Sequence, residues 1–404
     1  MKKIISFIVA GICLVMFAPS VYSADNLSIS GSYHVRGQTV DTGTANDEQR
    51  FRQRMRLFTT IKAADGVSAV IRADVADATW GSDFGNGPIA RPGAGADGSH
   101  QSKIDIDRSY VSINKDNWSL TAGQQYMGFG IYEVVDANPT GFNFGLNFDP
   151  VKLNLMYGKI TEGAITADDD IDLYAATIGV PVGGMNATLF YATLRDDNAT
   201  KTEPFAAGAH IGGALGKVNL SSELAIFGGD SATVNYSGTQ LYLKADSAVS
   251  DMVTMGAELY YAKGDDTDTQ IIGLTDWWSF VPFSNDTSVP NLGGFFTAAV
   301  NGSSLFDPFG TGAGSIGADV FFRINPMEKL SLGGKVGYFT AEEDARTDGT
   351  LTAFNAYASY LVASNTTLSL FYLYSDPDID TVGGVAKTDE EATKTALVQL
   401  AVSF

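Results

Sequence analysis

The chain has 404 residues, of which 46 are acidic, 26 are basic and one is a cysteine. The formal charge of −20 makes nucleic acid a poor partner, because its phosphates repel an acidic protein. A lone cysteine excludes disulfides, Fe–S clusters and covalently attached c-type haem, which needs a Cys-x-x-Cys-His motif. We therefore expect no nucleic-acid partner and no cofactor.

Residues 1–24 have the layout of a secretory signal peptide, since Lys2 and Lys3 precede an apolar run and small residues follow it. The expected mature chain, residues 25–404, keeps 24 basic against 46 acidic residues, a formal charge of −22. Cys13 lies in the removed part. No later apolar run approaches the roughly 18 residues of a membrane helix, so an exported chain that spans a membrane must do so as a closed β-barrel.

Strand-like alternation begins at Leu27. The sequence LSISGSYHVRGQ places His34 and Arg36 on one face and mostly apolar side chains on the other. The next segment, RFRQRMRL, has an arginine at every second position, and successive side chains of a strand point to opposite faces. One face of this second strand is therefore cationic and the other is mostly apolar. After the turn Ala64-Asp65-Gly66, a third strand carries Arg72.

Similar segments continue to the C-terminus, and their connections alternate between short turns and long polar loops. The short turns carry Gly, Pro, Asn and Asp, for example Gly216-Lys217, Ser250-Asp251 and Asn325-Pro326. The long connections include a third loop at 127–141 and an extracellular loop at 264–313. This layout predicts an all-β, transmembrane, antiparallel up-and-down β-barrel of about 18 strands, with 16 as the nearest alternative.

The arginines of the first three strands form a candidate site. An arginine that faced lipid would cost roughly 2 to 4 kcal/mol near the bilayer midplane, so the row must face the lumen or lie beyond the membrane. We define the basic wall as Arg36, Arg50, Arg52, Arg54, Arg56 and Arg72, and expect it to line the pore and draw anions. Arg108 is a further candidate, but the register of residues 103–113 is ambiguous. The alternative is that these arginines only brace the barrel through ion pairs with residues such as Asp74.

The N-terminal third resembles Gram-negative porins, including the alginate-export and phosphate-selective groups. The segments RFRQRMRLFTTIKAADGVSAVIRADV, IDRSYVSI and LTAGQQYMGFG carry the resemblance: a basic strand, an Asp-Gly turn, a Tyr-Val strand and a Gly-Gln strand in that order. The terminal Phe404 resembles the assembly signal of bacterial outer-membrane proteins. The resemblance implies a bacterial outer-membrane location, contact with lipid and with the barrel assembly machinery, and a possible homotrimer.

In porins the third loop commonly folds inward and narrows the pore. The third loop here, MGFGIYEVVDANPTG, resembles such a constriction loop and carries Glu133 and Asp136, although an ordinary surface loop stays open as an alternative. The extracellular loop is rich in aromatic residues that need burial, in a self-packed lid or against a ligand or another subunit. They are Trp277, Trp278, Phe280, Phe283, Phe295, Phe296, Phe306 and Phe309.

These features favour a porin that lets small hydrophilic or anionic solutes diffuse through a water-filled barrel. An alternative is the barrel sheath of a multi-subunit outer-membrane electron-transfer complex, in which a partner cytochrome would hold the haem. An enzyme is not expected, because the three histidines, His34, His100 and His210, have no triad or metal-ligand spacing.

Overall fold

The computed structural model describes residues 26–41, 48–79, 104–130, 134–162, 170–197, 202–230, 235–264, 313–344, 347–382, 385–386 and 392–404. Within these ranges the secondary structure is almost entirely β-strand. The strands are β1 (Leu27–Asp41), β2 (Glu48–Ala64), β3 (Val67–Thr79), β4 (Asp105–Asn114), β5 (Trp118–Gln124), β6 (Met127–Phe129), β7 (Val135–Ala137), β8 (Thr140–Asn147), β9 (Lys152–Thr161), β10 (Ile171–Val182), β11 (Met185–Asp196), β12 (Glu203–Leu215), β13 (Val218–Asp230), β14 (Asn235–Ala248), β15 (Val253–Ala262), β16 (Ser315–Met327), β17 (Leu330–Thr340), β18 (Thr347–Ala363), β19 (Thr366–Val382), β20 (Val385–Ala386) and β21 (Thr393–Ser403).

In the described part of the chain, eighteen of these strands form one closed antiparallel barrel, and β6, β7 and β20 stand outside that count. Each barrel strand pairs with the next one along the chain, and β21 pairs with β1 to close the ring. The predicted all-β barrel of eighteen strands is confirmed. No helix among the described residues has the length and apolar character needed to cross a bilayer.

The two faces of the barrel wall differ in polarity. On β16, Ile316 and Val320 point outward and are 50% and 58% exposed, whereas Asp319 and Phe321 point inward and are buried. The same alternation recurs on β17, β18 and β21, where the outward side chains are mostly apolar or aromatic. An apolar outer face over an inner face that carries charges is the pattern of β-barrels that span membranes.

The short turns lie where the sequence predicted them, with one exception. The prediction of a turn at Asn325-Pro326 was wrong, because the chain turns at Glu328 and Lys329 instead. The pairing of β16 with β17 shifts register between Ile324 and Met327. Asn325 and Pro326 therefore occupy a β-bulge at the end of β16, a position at which proline is tolerated because the ladder is interrupted there.

The barrel closes at its seam through the last residue. Gly31 of β1 donates its backbone N–H to Phe404 O at 2.8 Å, and Phe404 donates its own N–H to Gly31 O at 3.0 Å. A Cβ on Gly31 would lie 2.9 Å from the Phe404 ring and 2.4 Å from Arg56 O, so this close approach requires glycine. The role of Phe404 as an assembly signal stays a prediction.

The third long connection joins β5 to β8 over residues 125–139, two residues earlier than predicted at each end. It contains the β6–β7 hairpin, which forms a small sheet of its own. Three predicted features lie outside the described residues: the signal peptide, Glu133 of the third loop, and residues 265–312 of the loop predicted to be extracellular.

Candidate functional site

Backbone register brings the basic wall onto one inner surface of β1, β2 and β3. Arg36 lies opposite Arg52, and His34 lies opposite Arg54. On the other side of β2, Arg56 lies opposite Asp74, and Phe58 opposite Arg72. Arg50 lies opposite Gln38 in the backbone ladder, but its side chain is outside the described part of the structure. The wall therefore follows from strand alternation once the three strands are in register.

Carboxylates separate two of the arginines. Arg56 donates from Nε and Nη2 to the two oxygens of Asp74 at 2.7 and 2.8 Å, so the bracing contact that the alternative expected is present. Arg72 makes a second two-pronged pair with Asp107, and Arg56 Nη2 lies 3.9 Å from the same Asp107 carboxylate. Positive and negative groups therefore alternate along the inner face of β2, β3 and β4. This alternation reduces the repulsion between neighbouring guanidinium groups.

A β-bulge on β4 explains why this register could not be predicted. Arg72 pairs with Arg108, and the next pair along β3 is Ala73 with Ile106, so Asp107 is the extra residue of β4. A bulge places two consecutive residues opposite a single residue of the partner strand. Here both side chains contact groups inside the barrel, since Asp107 pairs with Arg72 and Arg108 stacks on Tyr126. Simple alternation would have sent one of them outward.

Arg36 extends the wall across the seam of the barrel. Its side chain is 2% exposed and donates from Nε to Gln399 Oε1 of β21 at 2.9 Å. Arg52 and Arg54, by contrast, are half-buried on the same inner face. Among the members of the wall whose side chains are described, the most buried thus lies where the first and last strands meet.

The β6–β7 hairpin folds into the barrel rather than over its surface. Met127, Val134 and Val135 are almost completely buried and pack against side chains on the inner faces of β10 to β13. Their partners include Leu173, Ala175, Phe190, Ala192, Ala206, Ala225 and Phe227. Gly130 makes the hairpin turn with φ of 79°, and a Cβ there would lie 3.0 Å from Glu223 Oε1 of β13. The connection therefore crosses part of the barrel interior.

The root of this hairpin lies beside the wall. Gln125 is buried and donates from Nε2 to the backbone oxygens of Thr121 and Gly141, each at 3.1 Å. Burial raises the pKa of the Asp136 carboxyl above its usual value, while the hydrogen bond from Tyr126 and the positive charge of Arg108 oppose that shift. Asp136 thus places a carboxyl with a raised pKa near Arg108, which lies opposite Arg72 of the basic wall.

A second group of inward charges was missed by sequence reasoning. We define the lysine–carboxylate cluster as Lys244, Glu258, Tyr260, Asp319 and Lys335, contributed by β14 to β17. Lys335 Nζ lies 2.7 Å from Glu258 Oε2 and 3.5 Å from Asp319 Oδ2, and Lys244 Nζ lies 3.0 Å from Glu258 Oε1. The one available signal was Lys335 on the inward face of its strand. One partner, Asp319, comes from the preceding strand, but the other, Glu258, lies 77 residues away in sequence.

The inner faces of β16 to β21 also carry buried apolar side chains that alternation alone did not single out. They include Phe321, Phe339, Leu351, Phe371, Leu373 and Leu397. The barrel interior therefore has a guanidinium-rich side on β1 to β4, whereas on the late strands buried apolar side chains lie beside buried polar groups such as Asp319 and Lys335. In the ranges that the structure describes, no group of three or more His, Cys, Asp or Glu is arranged to hold a metal ion.

Comparison with known proteins places the fold among outer-membrane barrels. No protein-family model matches the chain, and no curated protein sequence matches it. Among solved structures, OpdO of Pseudomonas aeruginosa superposes with a TM-score of 0.61 at 13% identity, covering 94% of this chain and 97% of OpdO. P. aeruginosa OpdK, solved with vanillate, gives 0.58 at 10% identity, covering 93% and 98% of the two chains. A BenF-like porin from Pseudomonas fluorescens Pf-5 gives 0.58 at 10% identity, covering 94% and 99%. The superpositions show a shared barrel fold, and at these low identities the similarity extends to the fold alone.

Proposed function

We propose that this protein is a bacterial outer-membrane porin through which small hydrophilic solutes, especially anions, diffuse passively. The observation that carries the proposal is a closed barrel with an apolar outer face, an arginine-lined inner face and a hairpin folded into its interior. Such a barrel satisfies its backbone hydrogen bonds within the wall and keeps its charges away from lipid. Charged groups along a narrowed interior select among solutes.

In this proposal the basic wall and the hairpin act together as the filter. Arg36, Arg52, Arg54 and Arg72 draw anions, and the carboxyl of Asp136 in the third connection opposes that attraction. The same role for Glu133 stays a prediction, because Glu133 lies outside the described residues. The net charge of −22 acts in the opposite sense, because it enriches cations near the mouths. The filter must therefore exceed this general attraction for cations.

The solute class is open to direct test. The N-terminal strands resemble those of the alginate-export and phosphate-selective groups. Inorganic phosphate and short alginate oligomers are therefore suitable probes. Vanillate, which OpdK holds, is a third probe. A homotrimer, and insertion by the barrel assembly machinery through Phe404, belong to the same proposal, and light scattering of the detergent-solubilised protein measures the oligomeric state.

The test of the proposal is the conductance of the refolded protein in a planar bilayer, with the reversal potential measured across a KCl gradient. We expect discrete open steps and a preference for chloride that falls in Arg52→Ala and Arg54→Ala. A folded barrel that shows no open steps would contradict the proposal that the protein is a porin. The sheath alternative is not favoured, because the β6–β7 hairpin occupies space inside the barrel that a partner subunit would need.

A further inference from the structure

Arg108 differs from Arg36, Arg56 and Arg72 in the groups that it contacts. Arg36 donates to a barrel strand, and Arg56 and Arg72 pair with carboxylates of the barrel wall. Arg108 instead donates from Nε to Asn138 Oδ1 at 3.0 Å, and its guanidinium carbon lies 4.8 Å from the centre of the Tyr126 ring. Both of these partners belong to the third connection.

The two partners flank the hairpin on opposite sides. Tyr126 immediately precedes β6, and Asn138 immediately follows β7. A planar guanidinium that stacks on one and donates to the other joins the two legs of the hairpin at their root. The Tyr126 hydroxyl also bonds the Asp136 carboxyl, so the charge on the hairpin is linked to the same contact.

The far end of the hairpin is held separately. Val134 and Val135 are fully buried against the inner faces of β10 to β13. Apolar packing therefore holds the hairpin from Met127 at the start of β6 to its tip, and Gln125 and Arg108 hold its root. Because Arg108 joins both legs of the hairpin to β4, we expect it to fix how far the root stands from the basic wall.

We propose that Arg108 is a positioning residue that holds the root of the β6–β7 hairpin and thereby sets the width of the constriction. Its guanidinium acts through Tyr126 and Asn138 rather than by contacting the solute. The β-bulge at Asp107 makes this possible. It allows Asp107 to pair with Arg72 while Arg108 contacts the hairpin. The consequence for solute passage rests on the proposed function; the position of the hairpin does not.

Spin labels measure that position directly. The only cysteine, Cys13, lies in the predicted signal peptide, so labels at Ala137→Cys on β7 and Asp251→Cys in the turn before β15 would be the sole labels of the mature protein. We expect one narrow distance distribution in the parent and a broader one in Arg108→Ala. Arg108→Lys keeps the charge but loses the planar stack and the Nε donor, so we expect it to broaden the distribution too.

Two further variants separate positioning from charge. Tyr126→Leu should broaden the distance distribution as Arg108→Ala does. The double variant should add little, because both single variants already remove the stack of Arg108 on Tyr126. Arg56→Ala removes the same charge from the wall, but its partner is Asp74, so the distance should not change. An unchanged distribution in Arg108→Ala, or equal broadening in Arg56→Ala, would overturn the proposal. Heat-modifiable electrophoretic mobility confirms that each variant is folded.

Single-channel conductance adds the functional consequence. We expect larger and noisier open steps in Arg108→Ala and Arg108→Lys, with the reversal potential of Arg108→Lys close to that of the parent. If the parent itself shows no open steps, the porin proposal fails while the distance measurement still decides the role of Arg108. A conductance in Arg108→Lys equal to the parent's would contradict the positioning role, since charge alone would then suffice.

Discussion

Arg56 and Asp74 face each other across β2 and β3 in a two-pronged ion pair, with both donor–acceptor distances below 2.9 Å. In the sequence the arginines of β2 form an uninterrupted row. In the structure this pair places a negative charge beside a positive one on the same inner surface. Arg72 with Asp107 repeats the arrangement one strand further on. The field at the inner surface therefore depends on these carboxylates as much as on the arginines.

The first prediction concerns the two members of that pair. Asp74→Asn removes a negative charge and leaves Arg56 in place, so we expect anion preference to rise. Arg56→Ala removes a positive charge, so anion preference should fall, and loss of a charged hydrogen-bonded pair should cost about 1 to 3 kcal/mol of stability. Reversal potentials across a KCl gradient measure the selectivity. Urea unfolding in lipid vesicles measures the stability. Shifts of the same sign in both variants would argue against an electrostatic role for the wall.

The second prediction concerns pH and Asp136. Because burial raises the pKa of this carboxyl, it takes up a proton at a higher pH than an ordinary aspartate. As the pH falls through that raised value, the hairpin loses one negative charge, so anion preference should increase. Asp136→Asn should have the anion preference of the protonated parent at all pH values, so its anion preference should not change with pH in this range. Asp116→Asn, in the exposed turn between β4 and β5, is the control and should keep it.

The third prediction concerns the lysine–carboxylate cluster. Lys335 is almost fully buried between the carboxylates of Glu258 and Asp319. Lys335→Ala leaves these buried carboxylates short of a cation, which should cost roughly 3 to 5 kcal/mol. Unfolding in urea with lipid vesicles measures the loss. The double variant Lys335→Met with Glu258→Gln removes one charge of each sign and should be less destabilised; a larger loss in the double variant would rule out unpaired charge as the cause.

The fourth prediction tests the seam. Gly31→Val places a side chain against Arg56 O and the Phe404 ring, and overpacking of this kind costs about 1 to 3 kcal/mol. We expect a lower folded fraction by heat-modifiable electrophoresis. Gly179→Val on β10 is the matched control, because a Cβ there meets only Lys152 at 3.8 Å or more. Equal losses in the two variants would show that the seam is no more sensitive than the rest of the wall.

Which residues face inward was predictable wherever a strand is regular. Outward arginines would be costly in lipid, so the alternation of RFRQRMRL decides their side without knowledge of the partner strands. The apolar side of regular strands follows the same alternation, and Val336 and Phe354 are exposed on the outer face. Local alternation failed at irregular points, namely the β-bulges at Asp107 and at the end of β16.

The amino-acid sequence by itself determined the fold class, most of the turn positions and the inward face of the basic strands, because these depend on period-two alternation and turn chemistry that act within a few residues. Only the tertiary structure decided which charges meet. Glu258 and Lys335 are 77 residues apart in sequence, and their contact depends on the register of two strand pairings, β15 with β16 and β16 with β17. The inward path of the hairpin was likewise decided by its packing on β10 to β13, a set of contacts between distant segments that no local pattern encodes.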